Sequence, residues 1–132
     1  MIVDSSALVA ILLNEEDGDA LSRVLDGAEI VRMSAASYLE ISIVIDHYRD
    51  AALSSRLDDT ILDAEIVIEP VTMEHARIAR QAYRDYGKGS GHPAQLNFGD
   101  CFSYALAREK REPILFKGDD FGHTDLRSAL AG

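Results

Sequence analysis

Apolar residues change their spacing along this chain, and each change marks an element. Met1-Ile2-Val3 is a short apolar run that meets Asp4-Ser5-Ser6, a helix-start signal, and then the apolar stretch Ala7 to Leu13. That order reads as a buried strand feeding directly into a helix. Asn14 to Asp19 reads as an acidic, solvated turn, and a short helix from Ala20 to Leu25 stops near Gly27. Glu29 to Met33 reads as a second strand. Ser34-Ala35-Ala36-Ser37 opens a longer helix to about Arg49, with Leu39, Ile43 and Val44 among its apolar positions. Asp50 begins another helical stretch, Leu53 to about Leu62, and Glu65 to Glu69 is a strand ended by Pro70. Thr72 is placed to cap the next helix. A glycine-rich loop, Gly87 to Pro93, leads through Leu96-Asn97-Phe98-Gly99-Asp100 into a buried helix bearing Phe102, Ala105 and Leu106 at helical spacing. Pro113 to Phe116 is the last strand, followed by Lys117-Gly118-Asp119-Asp120-Phe121.

A strand followed by two helices, three times over and closed by a strand, predicts an α/β fold. Its central sheet is mostly parallel, with helices on both faces. The 132 residues suit one domain, 1–132, with no internal repeat or low-complexity linker.

Charge narrows the function. The formal net charge is −10, with 23 acids against 13 Lys and Arg. A broad basic face for non-specific nucleic-acid binding is excluded, although a substrate held by metal ions and a few local cations is not. Against that background Arg77, Arg80 and Arg84 form a basic stripe on one helix, with Lys88 following. It reads either as a solvated, ion-paired face or as a line of phosphate contacts. The glycine loop lacks the G-K-[ST] order of a phosphate loop. Cys101 is the sole cysteine and reads as an inert core thiol. His47, His75, His92 and His123 have no metal-ligand spacing and read mostly as surface or loop residues. With neither a disulfide nor a signal peptide, a cytoplasmic location is expected.

The acids carry the chemistry. Asp4 stands at the carboxyl end of a strand, where ligands of open α/β sheets bind. A helix N-cap is the plain alternative for it, but Ser5 or Ser6 can cap equally well. Asp100 stands in a first helical turn, where free N–H groups and the helix dipole favour a carboxylate. Glu40 lies among apolar helix positions, where a carboxylate needs a partner. A Ser37-x-x-Glu40 capping box is the local alternative, and Ser34 is the better-placed cap. Asp119 and Asp120 follow the last strand. Four carboxylates on one edge repel and raise one another's pKa, and a divalent cation relieves that. Oxygen-only ligands favour Mg²⁺ or Mn²⁺.

Met-Ile-Val-Asp4-Ser-Ser6, Ser37-Tyr-Leu-Glu40, Leu-Asn-Phe-Gly-Asp100-Cys-Phe-Ser-Tyr-Ala and Ile-Leu-Phe-Lys-Gly-Asp-Asp120-Phe-Gly-His-Thr-Asp125 together resemble a PIN domain of the VapC type. These are ribonuclease toxins of type II toxin–antitoxin systems. The resemblance spans essentially the whole chain. It implies metal-dependent hydrolysis of RNA phosphodiesters, with Asp4, Glu40 and Asp100 matching the three central acids. The fourth acid falls in Asp119-Asp120; Asp120 is favoured because it precedes Phe121, and Asp125 remains an alternative. Ser6 matches a small hydroxyl residue that orients a carboxylate or water. The resemblance further implies a homodimer and a cognate VapB-type antitoxin, whose basic segment the −10 charge suits. Two other readings stay open on sequence. One is a Mg²⁺-binding phosphoacceptor domain of the response-regulator type, with Lys117 as its lysine. The other is a catalytically silent binding module of the same fold.

Overall fold

A computed structural model describes residues 1–130. Strand β1 (Ile2–Val3) feeds α1 (Ser5–Leu12) and α2 (Gly18–Gly27). Strand β2 (Arg32–Ser34) feeds α3 (Ala35–Asp46) and α4 (Ala51–Asp63). Strand β3 (Val67–Glu69) feeds α5 (Met73–Tyr86) and α6 (Phe98–Lys110), and β4 (Ile114–Leu115) is followed by a single 3-10 turn, Phe121–His123. The four strands pair in parallel in the order β3-β2-β1-β4.

The strands are shorter than the apolar runs, for a register reason. β1 has two residues, and its pairing with β2 places Ile2 opposite Arg32. Ladder geometry in β2 therefore begins at Arg32 rather than Glu29, and β3 begins at Val67, opposite Arg32 on the other side. Side chains of neighbouring strand residues point to opposite faces. Val3 and Leu115 accordingly pack with α1–α4, whereas Ile2, Ile114 and Phe116 pack with α5 and α6. The sheet is thus covered on both faces, as a parallel sheet requires.

Most helix starts follow the capping chemistry. Ser34 Oγ accepts from Ala36 N at 3.2 Å, Asp50 Oδ1 from Ala52 N at 3.0 Å and Thr72 Oγ1 from His75 N at 3.1 Å. With Ser34 as the cap of α3, Glu40 lies past the first turn and no Ser37–Glu40 box forms. Helix α3 corrects one expectation. Its buried seam is Ser37, Ile41 and Ile45, while Leu39 and Ile43 are 58% and 61% exposed. The helix carries more apolar residues than its narrow seam can bury. His75 is a second correction: it is 3% exposed, with Nε2 2.9 Å from Glu109 Oε1 of α6. Cys101 is buried, as expected of a core thiol.

Candidate active site

The sheet sets the location of the site. From β1 the chain winds outward through β2 to β3, then returns to place β4 on the other side of β1. The winding direction reverses between β1 and β4, and the crevice beyond their carboxyl ends is where open α/β sheets bind ligands. Asp4 follows β1 directly and Asp120 lies five residues past β4.

Asp4 is 2% exposed and caps α1. Its Oδ2 accepts from Ser6 N at 3.0 Å, and its Oδ1 accepts from Ser103 Oγ at 2.6 Å. Ser37 Oγ lies 2.9 Å from Ser103 Oγ. Because the Ser103 hydroxyl proton is given to Asp4, Ser37 is the donor of that pair. A buried Ser37–Ser103–Asp4 relay thus runs from α3 through α6 to the end of β1. Glu40 Oε1 accepts from Ser5 Oγ at 2.6 Å, and a Cβ added at Gly99 would collide with the Glu40 carboxylate. Gly99 therefore lets the start of α6 approach Glu40 closely.

Asp100 forms a capping box with Asn97. Its Oδ2 accepts from Asn97 N at 3.0 Å, and Asn97 Oδ1 accepts from Asp100 N at 2.9 Å. The Asp100 carboxyl is nevertheless pushed up to about 7 from the ordinary 3.8. Burial is the largest cause, and the charges of Asp4, Asp120 and Glu40 add to it against the Asn97 hydrogen bond. Those three carboxylates therefore share one electrostatic field with Asp100.

Capping and clustering are not alternatives here. Asp4 and Asp100 both start helices, and both face the same crevice. At the fourth position the chain does not stay extended: Asp120 has φ −58° and ψ −52° and enters the 3-10 turn. The alternation of side chains along an extended strand therefore does not separate Asp119 from Asp120 here. It is Asp120, not Asp119, whose charge acts on Asp100. Asp125 is engaged elsewhere, accepting from Tyr104 Oη at 2.7 Å and pairing with Arg108. Ser6 is also occupied: its Oγ accepts from Lys117 N at 3.1 Å, which ties the start of α1 to the exit of β4. Lys117 Nζ lies 2.5 Å from Glu15 Oε1, so the acidic turn after α1 is partly ion-paired rather than only solvated.

Among the described residues no three acid, histidine or cysteine side chains close into a finished metal cage. The donor set nonetheless fits a hard divalent cation. It is all carboxylate oxygen: Asp4, Glu40 and Asp100 each accept an N–H or O–H, and the charges of Asp4, Glu40 and Asp120 oppose that of Asp100.

A model of the PIN domain matches residues 1–126. The chain belongs to the PIN-domain family. Among its PIN-domain relatives are a VapC ribonuclease of Mycobacterium bovis and ribonuclease VapC28 of Mycobacterium tuberculosis. Each is 58% identical over 130 residues, 98% of either chain. Ribonuclease VapC42 of M. tuberculosis is 52% identical over the same share. Among solved structures, M. tuberculosis VapC20, described as a sarcin–ricin loop cleaving toxin, aligns with TM-score 0.73 at 18% identity over 95% of both chains. FitAcB of Neisseria gonorrhoeae aligns with TM-score 0.69 at 18% identity over 96% of this chain and 94% of that one. Membership sets the phosphoacceptor reading aside.

On sequence Ser5 and Ser37 stood out only as possible helix caps, and Ser103 and Gly99 not at all. The signal for Ser37 and Ser103 was present: each sits at helical spacing among buried apolar residues, where a hydroxyl needs a partner.

Proposed function

We propose that this PIN domain is the toxin of a type II toxin–antitoxin pair, a metal-dependent ribonuclease of the VapC type that hydrolyses RNA phosphodiester bonds. The observation that carries the site assignment is the raised Asp100 carboxyl, opposed by Asp4, Glu40 and Asp120 at the β1/β4 switch.

Asp4 and Asp100 would be the principal ligands for Mg²⁺, with Mn²⁺ able to substitute, and Glu40 and Asp120 would assist. When bound, such an ion supplies charge neutralisation at the scissile phosphate and a more acidic water. The chain's own residues prepare for this. The Ser37–Ser103 relay fixes the plane of the Asp4 carboxylate. Ser5 holds Glu40 at the rim, where it can take a proton from water. Ser6 acts as a positioning residue: its N–H steadies Asp4 and its hydroxyl fixes the strand exit that leads to Asp120. Lys117 is held cationic by Glu15. It supplies positive charge near the phosphate path.

A cognate VapB-type antitoxin presenting a basic segment suits the −10 charge. The outward apolar residues of α3, Leu39 and Ile43, suit a homodimer contact. Among the described residues no helix is long and apolar enough to cross a membrane. The cytoplasm, where RNA and antitoxin are both present, is the proposed location.

The test is cleavage of RNA by the purified full chain. Mg²⁺ or Mn²⁺ supports it and EDTA abolishes it; undiminished cleavage in excess chelator would overturn the metal mechanism.

A further inference from the structure

The basic stripe on α5 is not explained by stability. Only Arg77 of its three arginines has an ion-pair partner among the described residues, Glu74 at 3.6 Å with both side chains exposed. Arg80 and Arg84 stand at i and i+4, a like-charge spacing that destabilises a helix. Both line a groove of about 610 Å³ between α5 and the start of α6, together with Tyr83, Phe98 and Phe102. None of the groove's lining residues is acidic, in a chain with 23 acids. A larger groove, about 980 Å³, sets Asp85, Glu109, Glu112 and Asp125 among its arginines, so its charge is mixed.

The aromatic walls are held in place before any ligand arrives. Phe98 is 78% exposed, yet its ring is propped edge-to-face on Phe102 with centroids 4.9 Å apart and planes at 83°. Tyr83 is half exposed, with its hydroxyl donating to the Lys88 carbonyl at 3.2 Å. A Cβ at Gly87 would collide first with the Tyr83 carbonyl oxygen and then with its ring, so glycine there leaves room for both. Phe98 is the first residue of α6, two positions before Asp100, so the groove begins at the same end of α6 that carries the acid.

Resting on the ribonuclease reading, we propose that the α5–α6 groove is the track for single-stranded RNA flanking the scissile phosphate, with Arg80 and Arg84 on backbone phosphates and Phe98 and Tyr83 stacked on bases. Unpaired cations beside exposed aromatic faces are the chemistry of single-strand binding. A second copy of the chain fits less well. A two-fold contact centred on this groove brings two Arg80–Arg84 pairs to one interface, and α3 offers a larger apolar face without them. A basic antitoxin segment meets like charge here.

The experiment measures binding and cleavage separately on the full chain. A fluorescein-labelled, short, mixed-sequence single-stranded RNA is titrated by anisotropy with Ca²⁺ in place of Mg²⁺, and the same RNA is cleaved under single-turnover conditions in Mg²⁺. R80A/R84A should weaken binding by about tenfold or more at low salt. It should flatten the salt dependence by roughly 1.4 in slope, the value for two single-strand phosphate contacts. F98A should weaken binding by about tenfold with its salt slope unchanged. The saturated cleavage rate of each variant should stay within a few-fold of the parent. Parental affinity and slope in these variants overturn the track, whether or not the parent cleaves RNA. A variant that becomes monomeric, or loses antitoxin binding with RNA affinity intact, assigns the groove to a protein partner and also overturns it. A parent that binds through the groove but never cleaves in Mg²⁺ counts against the ribonuclease reading and leaves the track standing.

Discussion

The Ser103 hydroxyl donates to Asp4 Oδ1 at 2.6 Å from a side chain with no solvent exposure. S103A leaves that carboxylate oxygen and the Ser37 hydroxyl buried without each other's intermediary. Divalent-cation affinity should fall about 10- to 100-fold, the usual cost of losing a partner behind a metal ligand. Stability should fall by about 1–3 kcal/mol. Calorimetric titration with Mn²⁺ and urea denaturation measure the two effects; unchanged Mn²⁺ affinity would reduce Ser103 to a packing residue.

D100N separates catalysis from folding. An amide oxygen can still accept from Asn97 N, so the capping box persists while the charge is lost. The variant should fold, still bind the antitoxin and lose Mg²⁺-dependent cleavage and toxicity. Without metal, at pH 8, it should be at least as stable as the parent, because it no longer holds a buried charge against three neighbours. Lower stability than the parent would make Asp100 chiefly a helix-start residue.

The Asp100 carboxyl also sets a pH dependence. Its folded value of about 7 lies above the ordinary 3.8, so the folded state binds the extra proton between those limits. Metal-free stability should therefore decline as pH rises from about 4 to about 7, relative to D100N, and level off above. A cation competes with that proton, so Mn²⁺ affinity should rise through the same window with uptake of metal and release of a proton. Calorimetry in buffers of different ionisation enthalpy counts the proton; none released at pH 6 would remove Asp100 from the ligand set.

Asp119 and Asp120 should differ. Of the two, only Asp120 acts on Asp100. D120N should slow single-turnover cleavage at saturating Mg²⁺ by at least about tenfold, roughly 1.4 kcal/mol of transition-state stabilisation. D119N should stay within a few-fold. The reverse ranking would transfer the role to Asp119.

G99A should act through its neighbour. An added methyl group meets the Glu40 carboxylate, the movable end of a side chain, so the fold should survive while Glu40 is pushed off Ser5. Cleavage should drop about tenfold or more with little change in Tm. A parental rate would show that Glu40 needs no fixed position.

Much of this molecule was legible because helices dominate it and their starts are chemically explicit. Ser34, Asp50 and Thr72 announce themselves as caps, and the order of elements followed. Strand limits were not legible, because the strand-like run Glu29 to Met33 is longer than a two-residue β1 can pair. The outward face of α3 misled for a related reason. Leu39 and Ile43 are apolar without being core. At the site, the acids stood out by type, but the supporting hydroxyls did not. Ser37 and Ser103 are 66 residues apart, and only the packing of α3 on α6 brings them together. The bend at Asp120 was hidden because a strand exit followed by two aspartates does not fix the backbone.

Asp4 and Asp100 each accept at least one backbone N–H, yet a carboxylate offers about four lone-pair sites. Sites therefore remain for a cation without undoing a helix start. The idle and the armed enzyme can share one backbone, differing by side-chain rotation and the occupancy of oxygen lone pairs. Nothing in such a molecule has to be unfolded to silence it. On the proposed reading, an inhibitor would act by standing in the crevice or by starving it of cation, and the toxin it releases would be ready to cut at once.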